Sequence, residues 1–174
     1  MGTQQDYFEV ARCDDSIYIR VVGLANFNNS HLFQEFVDSM MELDTKHFYV
    51  DLAGCLGMDS TFMGVLIGIQ LHRKGDSSAP SGKRVYVVNA TERCLRQLKE
   101  LGLSRLIKIS KRDVAIPSIT FDRLQEEEYD PKERILLIRK AHENLTRIDE
   151  KNRETFQPFL ESLAADLQNR PIDS

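Results

Sequence analysis

Two short apolar runs, 48–52 and 85–88, constrain the fold of this 174-residue chain more than any other feature. The first run is a compact apolar strand, and the second does not alternate apolar and polar residues, which is typical of a central strand that is covered on both faces. Each is followed by a segment with the apolar spacing of a helix, at 60–74 and at 91–101, and a last short strand is expected at 106–109. Strands that alternate with helices lie parallel and are joined by right-handed crossovers. The sequence therefore predicts an α/β sheet.

The first 45 residues add a hairpin and one more helix. Residues 7–12 and 17–22 are rich in β-branched and aromatic residues and flank the turn-forming Asp14-Asp15-Ser16. Asn28-Asn29-Ser30 then precedes apolar residues that recur every three or four positions up to residue 43. The predicted order over residues 1–110 is β-β-α-β-α-β-α-β, in a mixed sheet of four to five strands.

The rest of the chain has a different character. Residues 111–130 show no sustained period and are predicted to be a linker, and residues 131–174 a helical C-terminal extension that starts at Pro131. A long helix is expected up to about Glu154, and Pro158 is expected to break or kink the pattern. Its apolar face comprises Ile135, Ile138, His142, Leu145 and Ile148. That face must be buried, either on the chain's own domain or in a homodimer through the C-terminal helices.

Composition and charge exclude several functional classes. The net charge is -4 and no extended basic cluster exists, so nucleic acid is not an expected partner. No apolar run approaches the roughly 20 residues that span a bilayer, and the start lacks the features of a signal peptide, so no membrane association and a cytoplasmic location are expected. The three cysteines form no CxxC pair and the histidines (His31, His47, His72, His142) show no paired ligand spacing, so neither a metal nor a cofactor is expected.

The stretch from Asp51 to Leu66 carries the most informative motif. A strand and a glycine-containing loop lead to Asp59-Ser60-Thr61, then to Gly64 and an apolar helix. This stretch closely resembles the signature of the STAS family, and the predicted element order over the first 110 residues is similar as well. The resemblance implies a STAS fold and a bacterial partner-switching regulator of the anti-sigma factor antagonist type, with no catalytic residue and no enzymatic activity.

The resemblance also implies a switch. In this type of protein the serine that follows the aspartate is the phosphoacceptor, which here is Ser60. The unphosphorylated protein binds a serine kinase that is also an anti-sigma factor, phosphorylation releases it, and a PPM-type serine phosphatase resets the switch. The partner surface surrounds the motif. The residues expected on it are Asn26, Asp59, Ser60, Thr61, Phe62, Met63 and Gly64.

The residues themselves agree with this interpretation but leave an alternative open. Ser60 lies at or beside a helix N-cap, where its hydroxyl is expected to be exposed and a phosphate is tolerated. A dianion beside Asp59 would be costly at an interface. The alternative is that Ser60 is only a cap, in a docking or scaffold module that assembles through its tail without phosphorylation.

Two residues depart from the family pattern, and two glycines add to it. Phe62 stands where many relatives have glycine, and burial in the core is favoured over contact with a partner. Asn26 replaces an aspartate and removes a charge near the partner surface. Gly64 and Gly68 share one face of the predicted helix, where another backbone could approach closely.

Overall fold

The computed structural model describes residues 5–43, 45–72 and 85–169. The strands in this part are β1 (Tyr7–Cys13), β2 (Ser16–Ala25), β3 (His47–Asp51), β4 (Cys55–Met58), β5 (Val85–Val88), β6 (Lys108–Ile109) and β7 (Asp122–Arg123). The α-helices are α1 (Ser30–Glu42), α2 (Ser60–His72), α3 (Glu92–Glu100), α4 (Pro131–Thr146) and α5 (Glu150–Asn169). The predicted end of the second helix at residue 74 lies outside the described residues.

The strands form one mixed sheet in the order β6-β5-β3-β2-β1-β7, and β4 pairs with β2 beyond the end of β3. Strands β2, β3, β5 and β6 are parallel, and the β1–β2 hairpin is antiparallel. The α/β class and the predicted order are confirmed. The described residues hold seven strands rather than four or five, because β4 and β7 are short strands inside segments predicted to be irregular.

The core lies between the sheet and its helices. Helix α2 is buried along 61–67, which fits its nearly uniform apolar composition, since such a helix must be covered on more than one side. Three aromatic rings from different elements meet beneath its start. Phe62 contacts Phe33 with ring centroids 5.0 Å apart and stacks on Phe8 at 5.9 Å. Phe62 therefore belongs to the core, as the sequence favoured.

The predicted linker is not free of the domain. Strand β7 pairs antiparallel with β1, so residues 122 and 123 extend the sheet at the edge that β1 would otherwise leave open. The guanidinium of Arg20 lies 3.8 Å from the centre of the Phe121 ring. This segment leads the chain back toward the start of α4.

Two predictions about the tail helices are wrong. The long helix does not continue to Glu154 but ends at Thr146, and α5 begins at Glu150. The Asp149 carboxylate causes the new start, because it accepts a hydrogen bond from the Asn152 N–H at 2.8 Å. Pro158 does not break the pattern either, since α5 passes through it at an exposed position where water can bond to the carbonyl left unpaired.

Helix α4 packs across α2, and α5 packs against α4. The tail thus buries its apolar face on its own domain. None of the helices in the described residues is both long and apolar enough to cross a membrane.

Candidate functional site

The start of α2 is fixed by the carboxylate of Asp59. One carboxylate oxygen accepts a hydrogen bond from the Phe62 N–H and the other from the Phe27 N–H, both at 2.8 Å. The Asp59 N–H in turn donates to the Ala25 carbonyl at 3.0 Å. Asp59 therefore caps α2 and also ties it to the loop after β2. Ser60 is the first residue of the helix rather than its cap.

The strand before the motif is held by a glutamine that the sequence analysis did not identify. The side-chain amide of Gln97, on α3, donates to the Met58 carbonyl at 2.8 Å and accepts from the Met58 N–H at 3.2 Å. These two bonds imitate those of a neighbouring strand at the end of β4. A glutamine on the polar side of a helix gives no local signal of such a role.

The hydroxyl of Ser60 is paired with His142 of α4. Ser60 Oγ lies 2.9 Å from His142 Nε2, and His142 Nδ1 lies 2.8 Å from the Ile138 carbonyl. Because a carbonyl oxygen only accepts, Nδ1 carries the proton in the neutral ring and Nε2 accepts from the serine hydroxyl. Ser60 is half-buried as a result, so its predicted exposure is not what the structure shows.

His142, which the sequence places on the apolar face of the tail helix, is only 5% exposed. The rings of Phe156 and Phe159, on α5, lie with centroids 5.1 and 4.7 Å from the imidazole. Burial lowers the pKa of His142, and the bond to the Ile138 carbonyl and the charge of Asp59 only partly offset this effect. The imidazole is thus favoured in its neutral form.

Gly64 sets the distance between α2 and α4. A Cβ atom at this position would lie 2.2 Å from the Ala141 carbonyl oxygen and 2.8 Å from the Ala141 Cα atom. The Asn144 side chain donates to the Gly64 carbonyl at 3.1 Å. The predicted close approach of a backbone to the glycine face of α2 is therefore confirmed, and the approaching backbone is that of α4.

The residues predicted for partner binding fall into two groups. Asn26, Asp59 and Ser60 are half-buried, whereas the four that follow in the chain, residues 61–64, are buried. Large apolar side chains that the sequence analysis did not single out are exposed nearby on β2, β4 and the loop after β2. They are Leu24, Phe27 and Leu56.

The Ser60–His142 pair resembles the arrangement in which histidine activates a serine nucleophile. Here the group that orients the imidazole is a backbone carbonyl rather than a carboxylate. The pair joins two packed helices. Its evident effect is to hold α4 over Ser60.

The sequence profile of the STAS domain matches residues 7–114, and the chain therefore belongs to the STAS domain family. Among the solved structures that share the fold are the following two. One is a candidate anti-sigma factor antagonist from Thermotoga maritima, at 24% identity and a TM-score of 0.50, covering 59% of this chain and 84% of that chain. The other is the anti-sigma factor antagonist SpoIIAA in its unphosphorylated form, at 11% identity and a TM-score of 0.50, covering 60% and 88%.

No curated protein sequence matches the chain significantly. The matched region ends before β7, so α4 and α5 lie outside the family domain. The helix that covers Ser60 is therefore an addition to the STAS fold.

Proposed function

We propose that this STAS protein is a regulator of bacterial partner switching. In the unphosphorylated form it binds a serine kinase that is also an anti-sigma factor, and phosphorylation at Ser60 releases that partner. A PPM-type serine phosphatase restores the binding form. The observation that carries the proposal is the position of Ser60, at the first turn of α2 directly after Asp59, within a matched STAS domain. The fold that the chain shares with the anti-sigma factor antagonist SpoIIAA and with a candidate antagonist supports it.

The electrostatics of the site suit an off-switch. A phosphate adds about -1.5 to -2 charges. The helix N-terminus tolerates this charge, with a gain of about 0.3–1 kcal/mol. Asp59 directly precedes Ser60, and its carboxylate already accepts two backbone N–H groups, so it cannot turn away without losing both bonds. Two adjacent anions at a closed interface would cost several kcal/mol, which is enough to release a partner.

Exposed apolar side chains close to the motif support a partner surface there. Phe27 is 45% exposed and its backbone N–H bonds to Asp59, so this residue lies beside the phosphoacceptor turn. Leu24 and Leu56 lie on the paired strands β2 and β4. Large aromatic and apolar residues of this kind are typical anchors of protein interfaces.

The test is phosphorylation by a lysate of the native host, with ATP, followed by intact mass and site mapping. The wild type should gain one phosphate at Ser60, and Ser60→Ala should gain none. Ser39→Ala, which removes an exposed serine on α1, is the matched control and should be phosphorylated normally. A phosphate that maps to another residue, or that persists in Ser60→Ala, refutes the assignment.

Partner release is tested separately by pull-down. Ser60→Ala should retain the kinase, Ser60→Asp should lose it, and Phe27→Ala should bind it at least about tenfold more weakly. Equal binding by Ser60→Asp and the wild type would contradict the switch.

A scaffold module that assembles through its tail is the second candidate. It is favoured by one observation, that the Ser60 hydroxyl is already bonded to His142. Leu136 and Phe159 remain exposed on the tail helices and would supply the assembly surface. This candidate predicts no phosphate on Ser60 and a concentration-dependent mass in light scattering that Leu136→Lys abolishes.

A further inference from the structure

The oxygen that would accept a phosphate is covered by α4. The Ser60 hydroxyl donates to His142, and the imidazole is fixed by the Ile138 carbonyl within its own helix. Phe156 and Phe159 pack on the imidazole from α5, so it cannot swing aside while α5 stays in place. A γ-phosphoryl group must come within bonding distance of the same serine oxygen.

We propose that α4, backed by α5, is a detachable cover over Ser60: a kinase reaches Ser60 only when α4 lifts, and phosphoserine at this position then keeps α4 off α2. The inference rests on the proposed function, since it takes Ser60 as the phosphoacceptor. In the step itself Ser60 Oγ bonds to the γ-phosphorus of ATP. The bond from that phosphorus to the β,γ-bridging oxygen breaks, ADP leaves, and the hydroxyl proton passes to the base of the kinase.

The packing of the tail allows it to detach. In the main core cluster of the described residues, only Ala141 and Leu145 are buried residues of the tail, and the others lie between residues 8 and 107. The hydrogen bonds from Ser60 and Asn144 that cross between α2 and α4 are polar contacts that water can replace. The outer side of α4 is exposed, so the helix can move outward without displacing an element of the STAS domain.

A phosphate on Ser60 is incompatible with the docked helix. Ser60 Oγ and His142 Nε2 are 2.9 Å apart, so no space remains between these two atoms for a phosphorus atom and its three oxygens. Gly64 and Ala141 are already in backbone contact. A neutral imidazole that is closed off by two aromatic rings also cannot balance the charge of a phosphate.

The first experiment needs no kinase. Phosphoserine is installed at position 60 of the full chain during translation, and amide hydrogen exchange is followed in residues 131–146. Exchange should become about tenfold faster or more than in Ser60→Ala, which leaves α4 docked, while β2 and β3 amides keep their protection. Unchanged protection of α4 overturns the proposal. If the β2 and β3 amides also lose protection, phosphoserine has destabilised the whole domain. The measurement is then repeated with Ser60→Asp, whose group is smaller and singly charged, and faster exchange in residues 131–146 alone is again the expected result.

The second experiment measures access. Gly64→Ala places a methyl group against the α4 backbone, whereas Gly68→Ala makes the same change one turn away, where only the Asn144 side chain must move. With the host kinase, Ser60 should be phosphorylated about tenfold faster in Gly64→Ala than in Gly68→Ala. Equal rates overturn the cover while leaving the proposed function intact. If phosphoserine releases α4 but no host kinase modifies Ser60, the cover is supported and the proposed function is refuted.

Discussion

The substitution Gly64→Ala should separate the stability of the STAS domain from the docking of its tail. Within α2, alanine is favoured over glycine by about 1 kcal/mol. At the contact with α4 the new Cβ atom would lie 2.2 Å from the Ala141 carbonyl oxygen, whereas ordinary contact starts at 3.4 Å. Helix α4 must therefore retreat by about 1 Å, because the obstacle is backbone and cannot rotate away.

The retreat has a calculable cost. It stretches the Ser60–His142 bond from 2.9 Å and the Asn144–Gly64 bond from 3.1 Å beyond hydrogen-bonding distance. Each lost bond costs about 1 kcal/mol, and partial exposure of Leu145 adds about 1 kcal/mol. Docking of the tail should weaken by about 3 kcal/mol, or about a hundredfold, while the domain gains about 1 kcal/mol.

Hydrogen exchange resolved by residue is the assay. In Gly64→Ala the α4 amides should exchange about a hundredfold faster than in the wild type, whereas the amides of β2, β3 and α2 should be at least as protected as in the wild type. Gly68→Ala is the control, since its Cβ atom would meet only the end of the Asn144 side chain, so at most the Asn144–Gly64 bond is lost and the α4 backbone stays in place. If α4 is equally protected in both variants, the contact at Gly64 does not determine the position of α4, and the predicted loss of docking is refuted.

Three further predictions concern single side chains. Asp59→Ala should lower the free energy of unfolding by about 2–4 kcal/mol, because two backbone N–H groups lose a charged acceptor. Asp59→Asn should lower it by about half as much. Urea titrations that give the same free energy of unfolding for both variants would contradict this prediction. The folded-state pKa of His142 lies below its ordinary value of 6.5, so its contribution to stability is present above pH 6.5 and is lost as the pH falls through the folded pKa. Protection factors of α4 should thus be lower at pH 5 than at pH 7.5. His142→Gln should reduce this difference. Burial also lowers the pKa of His31, but His31 is retained in this variant, so the reduction reports on His142. Asn152→Ala removes a buried donor to two carbonyl groups and should destabilise the tail by about 2 kcal/mol in calorimetry, whereas the exposed Thr155→Ala should stay within about 0.5 kcal/mol.

The sheet could be predicted because its central strands carry their own signal. The run 85–88 is apolar throughout, and the helix at 92–100 repeats its apolar residues with a helical period. Strands β4 and β7 could not be predicted in the same way. They have four and two residues, and their pairing depends on where β2 and β1 lie in the folded sheet.

The site was half visible in the sequence. Asp59 and Ser60 are neighbours at a helix start, so local capping rules and the family motif both indicate them. His142 lies 82 positions from Ser60, and nothing in its own helix distinguishes a buried hydrogen-bond partner from a packing residue. The glycines of α2 predicted that a backbone would come close, but only the folded chain shows that this backbone is α4, which carries His142.

The corner between α4 and α5 is fastened to the end of α3. The Asn152 side chain donates to the Leu101 carbonyl at 2.9 Å, and Asp149 forms an ion pair with Arg105. A helix tethered this way meets the α2 surface at an effective concentration on the order of mM, whatever the amount of protein in the cell. A partner that binds this surface of α2 competes with α4, which is part of the same chain and is not diluted with the protein. The apparent Kd of the partner is the intrinsic Kd divided by the fraction of molecules in which α4 is undocked. With about 1% open, binding is about a hundredfold weaker. Substitutions at the corner would then tune the sensitivity of the regulator without altering the surface that its partner recognises.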